Sequence, residues 1–82
     1  MIVVQLYRGH IFAFNPKFVT RVWEEVFHDS DTQAVTDRYT CLRFDDRTEA
    51  MRVDSQFMDV IKAIDEHNKT GKSVSLVEGI TL

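Results

Sequence analysis

The sequence predicts an α+β domain, in which an antiparallel β-meander of four or five strands is packed by one helix near residues 55–69. Its length of 82 residues is enough for a single small domain, 1–82, and for no second one. Short runs of β-branched and aromatic residues are separated by turn residues through most of the chain. One later segment instead repeats its apolar residues at helical spacing.

The first predicted element is a β-hairpin. Residues 2–7 are rich in β-branched residues, Gly9 stands at a natural turn position, and residues 10–14 return with two phenylalanines on one face. Asn15-Pro16 ends this hairpin, because proline cannot donate to a strand ladder and the residue before it avoids the α region.

Residues 16–28 allow two interpretations. Wound as a helix with Asn15 as its N-cap, the segment gathers its large apolar residues within about half of the helix circumference. Extended as a strand, it has two mixed faces, with Trp23 and Phe27 on one and Phe18 on the other. Periodicity alone favours the helix.

The second half of the chain predicts another hairpin and then the helix. Strand-like residues 34–44 lead into a turn at 45–47 and a returning strand at 48–53. The helix over residues 55–69 would be capped by Asp54 or Ser55, with Gly71 after its end. A last short strand is expected near 73–78. The residues that the spacing turns toward the core are Phe57, Val60, Ile61 and Ile64.

Composition excludes several classes of protein. The net charge of −3 is poor for holding phosphate backbones. No apolar run approaches the roughly 18 residues of a membrane span, and the first residues lack the basic and apolar regions of a signal peptide. A single cysteine excludes an internal disulfide and favours a reducing cytoplasm. We therefore expect a cytoplasmic protein with no membrane contact.

No motif predicts an enzyme, a cofactor or a metal site. Residues 70–73 resemble the end of a phosphate-binding loop, but they follow a predicted helix and the earlier glycine of that loop is missing. Asp29, Asp31 and Gln33 have the spacing that opens a calcium loop, yet its glycine and its final glutamate are missing. The three histidines are far apart, and Cys41 falls in mid-strand, where a buried hydrophobe is expected.

Two functional hypotheses remain. The first is a non-enzymatic protein–protein interaction or regulatory protein that binds another protein, or itself as a homo-oligomer. Aromatic residues are favoured at interfaces, so its candidate anchors are Phe18, Trp23 and Phe27, although the same residues could simply fill the core. The alternative is a small nucleic-acid-binding module. Its face would contain Tyr39, Arg43 and Arg52, and the interleaved acidic residues argue against it.

The chain is similar to the small FlbD-type family of flagellar operons, and to its phage look-alikes, over about residues 2–64. The similarity lies in residues 2–22, where Asn15-Pro16 is the most distinctive pair, in residues 42–47 and in residues 51–61. Two departures are Asp46, where the family usually has a glycine, and a longer middle loop. The resemblance implies a β-meander closed by a helix, with a strand after Asn15-Pro16. It thereby favours the strand for residues 16–28, and it implies no catalytic residue.

Overall fold

The fold is that of a computed structural model, which describes residues 1–80; the last two residues of the predicted domain lie outside the described range. The described chain has strands and a helix in the order β1 (Ile2–Gln5), β2 (Ile11–Phe14), β3 (Val19–His28), β4 (Val35–Phe44), β5 (Met51–Val53), α1 (Phe57–Thr70) and β6 (Val74–Ser75). The predicted α+β class is confirmed.

The strands form two three-stranded sheets, ordered β2-β1-β6 and β3-β4-β5. All pairs are antiparallel except β1 with β6. The connection from β1 to its parallel neighbour β6 contains all the other elements, and α1 is the part that brings the chain back from β5 to the first sheet. The expected meander of four or five strands is instead six strands divided between two sheets, which within residues 1–80 are joined by one bridge, between Leu6 and Val53.

The segment 16–28 is a strand, as the resemblance implied. Only Pro16–Phe18 is helical, as a 3-10 turn in which the Asn15 side chain accepts a hydrogen bond from the amide of Lys17 at 3.0 Å. From Val19 onward the chain pairs with β4. Both faces of β3 are partly covered, one by the core and the other by arginine side chains. The resulting distribution of apolar residues resembles that of a helix.

Helix α1 begins at Phe57, and neither Asp54 nor Ser55 caps it. Gln56 occupies the N-cap position and makes no side-chain capping bond. The carbonyl of Ser55 instead accepts a hydrogen bond from the buried Thr40 hydroxyl at 2.7 Å. At the other end Gly71 takes the left-handed conformation, with φ of 71°, as expected of a helix-ending glycine. Within residues 1–80 no helix is long and apolar enough to cross a bilayer.

One hydrophobic core lies between the sheets and α1. The helix contributes Val60 and Ala63, and Ile64 packs against them. Phe57 and Ile61, which the spacing also turned inward, are only half-buried. The buried stripe of α1 is thus narrower than the sequence predicts. The core residues are Ile2, Val4, Phe14, Leu42, Phe44, Val53, Val60 and Ala63.

Candidate functional site: an arginine–aromatic face

The outer side of the β3-β4-β5 sheet carries a cluster of arginine and aromatic side chains. Side chains alternate along a strand, so β4 places Leu42 in the core and its odd-numbered residues on the opposite side. The register sets Trp23 opposite Cys41, and Cys41 opposite Arg52. We call this surface the arginine–aromatic face; it consists of Tyr7, Arg8, Arg21, Trp23, Phe27, Tyr39, Arg43 and Arg52.

At one end of the face two arginines share the ring of Trp23. Arg21 and Arg43 are directly opposite each other on β3 and β4. Their Cζ atoms lie 4.9 and 5.7 Å from the indole centroid. Opposed like charges normally destabilise a strand pair, whereas a ring attracts a cation by about 0.5–1 kcal/mol at an exposed site. Trp23 therefore stabilises two positive charges in adjacent positions.

At the centre Arg52 lies over two rings at once. Its Cζ is 5.6 Å from the centroid of Phe27 and 5.5 Å from that of Tyr39, and these two rings pack edge to face at 5.2 Å. Its Nη2 also donates to Glu25 at 3.3 Å. Tyr7 packs against Tyr39 with their centroids 4.4 Å apart.

The charge of the face is opposite to that of the rest of the protein. Its four arginines are accompanied by two carboxylates, Glu25 and Asp37, which leaves +2 here. The whole chain carries −3, so −5 lies elsewhere. Asp37 accepts a hydrogen bond from the Tyr39 hydroxyl at 2.6 Å, and this bond raises the pKa of that phenol well above its usual range. Tyr39 therefore stays neutral even at a pH at which an ordinary tyrosine ionises.

Cys41 lies beneath the face and is only 1% exposed. Burial raises the pKa of its thiol, so the thiol is in its unreactive protonated form near neutral pH. His28 and His67 hydrogen-bond to backbone carbonyls, those of Gln33 and Lys72. Among residues 1–80 no three histidine, cysteine or acidic side chains converge as metal ligands would.

The structure brings five of the six predicted site residues together. Trp23 and Phe27, predicted for a protein partner, share the face with Tyr39, Arg43 and Arg52, predicted for nucleic acid. Phe18 lies apart and is 50% exposed. It borders a separate groove of about 620 Å³ where β2 and β4 end, lined by residues that include Phe12, Phe14 and Phe44.

Three members of the face were missed by sequence reasoning. Arg21 stands two residues before Trp23, so the period of two in a strand would have placed it on the same side. Tyr7 and Arg8 reach the face only because the end of β1 joins β5, where the amide of Tyr7 donates to the carbonyl of Arg52 at 2.9 Å. No local pattern reports that long-range pairing.

Comparison of the chain with family models, curated proteins and solved structures finds no match. The FlbD-type resemblance therefore stays a prediction, and the candidate site rests on its own geometry.

Proposed function

We propose that this protein is a non-enzymatic binding module that holds a segment of another protein on the arginine–aromatic face. The observation that carries the proposal is the concentration of stacked arginine and aromatic side chains on one side of a sheet. Tryptophan, tyrosine and arginine are the residue types that most often dominate binding energy at protein interfaces. The rigid sheet also fixes these side chains before a partner arrives, which lowers the entropy cost of binding.

The chemistry of the face favours an acidic partner segment that also contains apolar side chains. A guanidinium that lies over a ring keeps its N–H groups free at its edge, where a carboxylate can accept two hydrogen bonds. Within the described residues Arg8, Arg21 and Arg43 form no salt bridge. Phe27 is 40% exposed and offers an apolar contact beside them.

A binding role without catalysis is supported by the chemistry of the groups near the face. Cys41 is covered and protonated, and the carboxylates of Glu25 and Asp37 are engaged by Arg52 and Tyr39. We also propose a cytoplasmic location, since a lone cysteine suits a reducing compartment. The FlbD-type resemblance adds the proposal that the partner belongs to a flagellar or phage-encoded system.

The second candidate is binding of single-stranded nucleic acid on the same face. Bases stack on aromatic rings and on arginine planes, and four arginines on one face would contact phosphates. The negative charge of the chain and the two carboxylates on the face make this the weaker proposal. Both candidates use the same side chains, so ligand identity has to be tested directly.

Trp23 is the sole tryptophan, and its fluorescence therefore reports binding at the face. Peptides would first be selected from a random displayed library on the immobilised protein and then titrated against it. We expect selected peptides to be rich in aspartate and glutamate. Arg43→Glu should weaken their binding at least about tenfold by placing a like charge against the peptide. Lys62→Glu, the same charge change on the exposed side of α1, should leave binding unchanged.

The same titration with oligothymidylate at low and high salt tests the second candidate. Tight binding that falls steeply with salt, with no selected acidic peptide, would favour nucleic acid over a protein partner. Equal peptide affinity for the wild type and Arg43→Glu would show that the face is not the binding surface.

A further inference from the structure

Strand β3 forms one edge of its sheet. In the order β3-β4-β5 its second side has no neighbouring strand, and none of the backbone hydrogen bonds of residues 1–80 is made from that side to another strand. The strand has ten residues and contains neither proline nor lysine, two residues that commonly protect such edges. Its irregular pairs lie only at its two ends, so residues 21–27 form a regular, open edge.

We propose that this edge pairs with the same edge of a second copy, in antiparallel orientation, about a twofold axis at Trp23. Twofold pairing of one sheet edge keeps the odd-numbered residues of both copies on the same side. With Trp23 on the axis, Trp23 lies opposite Trp23 of the other copy. Arg21 then lies opposite Glu25 of the other copy, and this pair occurs twice.

Charge selects this register over its neighbours. An axis at Glu24 or at Glu25 places two glutamates directly opposite each other, which destabilises a strand pair. An axis at Val22 removes the like charges but sets Arg21 against Trp23 and leaves no opposite charges facing. The axis at Trp23 gives two favourable ion pairs and no like-charge pair along the whole edge.

The side chains involved are available for this pairing. Arg21 forms no salt bridge within the described residues, and Glu25 is only half-buried beside Arg52. In the dimer Glu25 would accept from Arg52 of its own chain and from Arg21 of the other. The β3-β4-β5 sheet of one copy and that of the other become one six-stranded sheet, with both arginine–aromatic faces on the same side. The pairing needs no bound partner, and because it engages Arg21, it leaves Arg8 and Arg43 as the arginines of each face without an ion pair among the described residues.

The test is a measurement of dimer dissociation by sedimentation equilibrium, with circular dichroism to confirm that each variant folds. We expect a species of twice the 9.6 kDa chain mass. Arg21→Glu and Glu25→Arg should each raise the dimer dissociation constant about tenfold, since each turns two attractive pairs into repulsive ones. The double variant Arg21→Glu/Glu25→Arg restores opposite charges and should restore the dimer.

Arg43→Gln is the matched control, because Arg43 contacts the same tryptophan from β4 but lies away from the edge, and glutamine places no carboxylate opposite Arg21. It should leave the dimer intact even where it abolishes peptide binding, so failure of this proposal and failure of the proposed function are separate results. A wild-type protein that stays monomeric at the highest soluble concentration would overturn the dimer. So would a dimer that is insensitive to both single charge reversals.

Disulfide formation between two copies is a second test of the register, which does not depend on the folding of the charge-reversal variants. In a Cys41→Ala background, Trp23→Cys would place the new thiol of one copy opposite the same thiol of the other copy. Opposed residues in an antiparallel pair have Cα atoms about 4.5–5.5 Å apart, a distance that suits a disulfide. Oxidised glutathione should then link the two chains. Thr20→Cys, which would lie opposite Val26 of the other copy, should not link, and equal linking of both variants would contradict the register.

Discussion

Arg52 lies over Tyr39, with its Cζ atom 5.5 Å from the ring centroid. Arg52 comes from β5 and Tyr39 from β4, and the same guanidinium also contacts Phe27 of β3. One side chain thus links all three strands across the outer side of the sheet. The stacking of arginine on aromatic rings is therefore part of the structure of the face as well as of its proposed binding role.

Removal of Arg52 should destabilise the protein. Arg52→Ala loses two ring contacts and a partly exposed ion pair with Glu25, and we expect a loss of about 1 kcal/mol in the free energy of unfolding. Arg52→Lys should recover only part of it, because an ammonium cannot lie flat on two rings and donate to a carboxylate. Urea denaturation measures the stability of both Arg52 variants, and Lys62→Ala, at an exposed position of α1, is the control. An Arg52→Ala midpoint equal to that of the wild type would contradict this role.

Two adjacent residues of α1 should respond differently to a buried charge. Val60 is fully buried in the core and Ile61 is half-buried, so Val60→Asp should cost several kcal/mol and prevent folding. Ile61→Asp should cost clearly less, because its carboxylate can reach water. Thermal unfolding followed by circular dichroism compares them. If Ile61→Asp proves the more damaging, α1 is rotated from the orientation described.

Replacement of Gly71 should lower the free energy of unfolding only because of the backbone conformation at this position. A Cβ atom added there would meet no atom within 4 Å, yet its φ of 71° is unfavourable for residues with a side chain. We expect Gly71→Ala to lower the free energy of unfolding by about 1 kcal/mol. Gly71→Asn should cost less, since asparagine tolerates this conformation. Equal denaturation midpoints for the alanine variant and the wild type would show that the helix does not end in this way.

Tyr39 should ionise only at unusually high pH. Its hydrogen bond to Asp37 raises the pKa of the folded phenol above its unfolded value near 10, so the stabilisation is complete below that pH. It is lost as the pH rises through the folded pKa. Tyrosinate absorbance should show that Asp37→Ala lowers the pKa of Tyr39, whereas Asp31→Ala, in the hairpin turn, leaves it unchanged. Identical titration curves for the Asp37 variant and the wild type would disprove the contribution of that bond.

Much of the fold could be predicted because its signals are local. Asn15-Pro16, the turn at 45–47 and Gly71 each mark a chain boundary through their own backbone chemistry. Periodicity gave the wrong answer for residues 16–28, because β3 has apolar residues on both of its faces and therefore no simple alternation. The parallel pairing of β1 with β6 involves residues at opposite ends of the chain, and no local pattern reports it.

The candidate site was predicted in fragments. The sequence assigns to two different functions five residues that the register of β3, β4 and β5 unites: Trp23, Phe27, Tyr39, Arg43 and Arg52. Which aromatic residues share a face depends on that register, which residue types alone do not determine. Phe18 is separated from the others because the 3-10 turn directs it toward a different groove.

Nuclear magnetic resonance mapping tests the central claim most directly. A selected acidic peptide would be added to the isotope-labelled protein, and amide and indole N–H shifts would be followed. We expect the largest changes at the Trp23 indole and along β3, β4 and β5, with little change in α1. Changes centred on the groove beside Phe18, or spread over α1, would contradict the assignment of binding to the arginine–aromatic face.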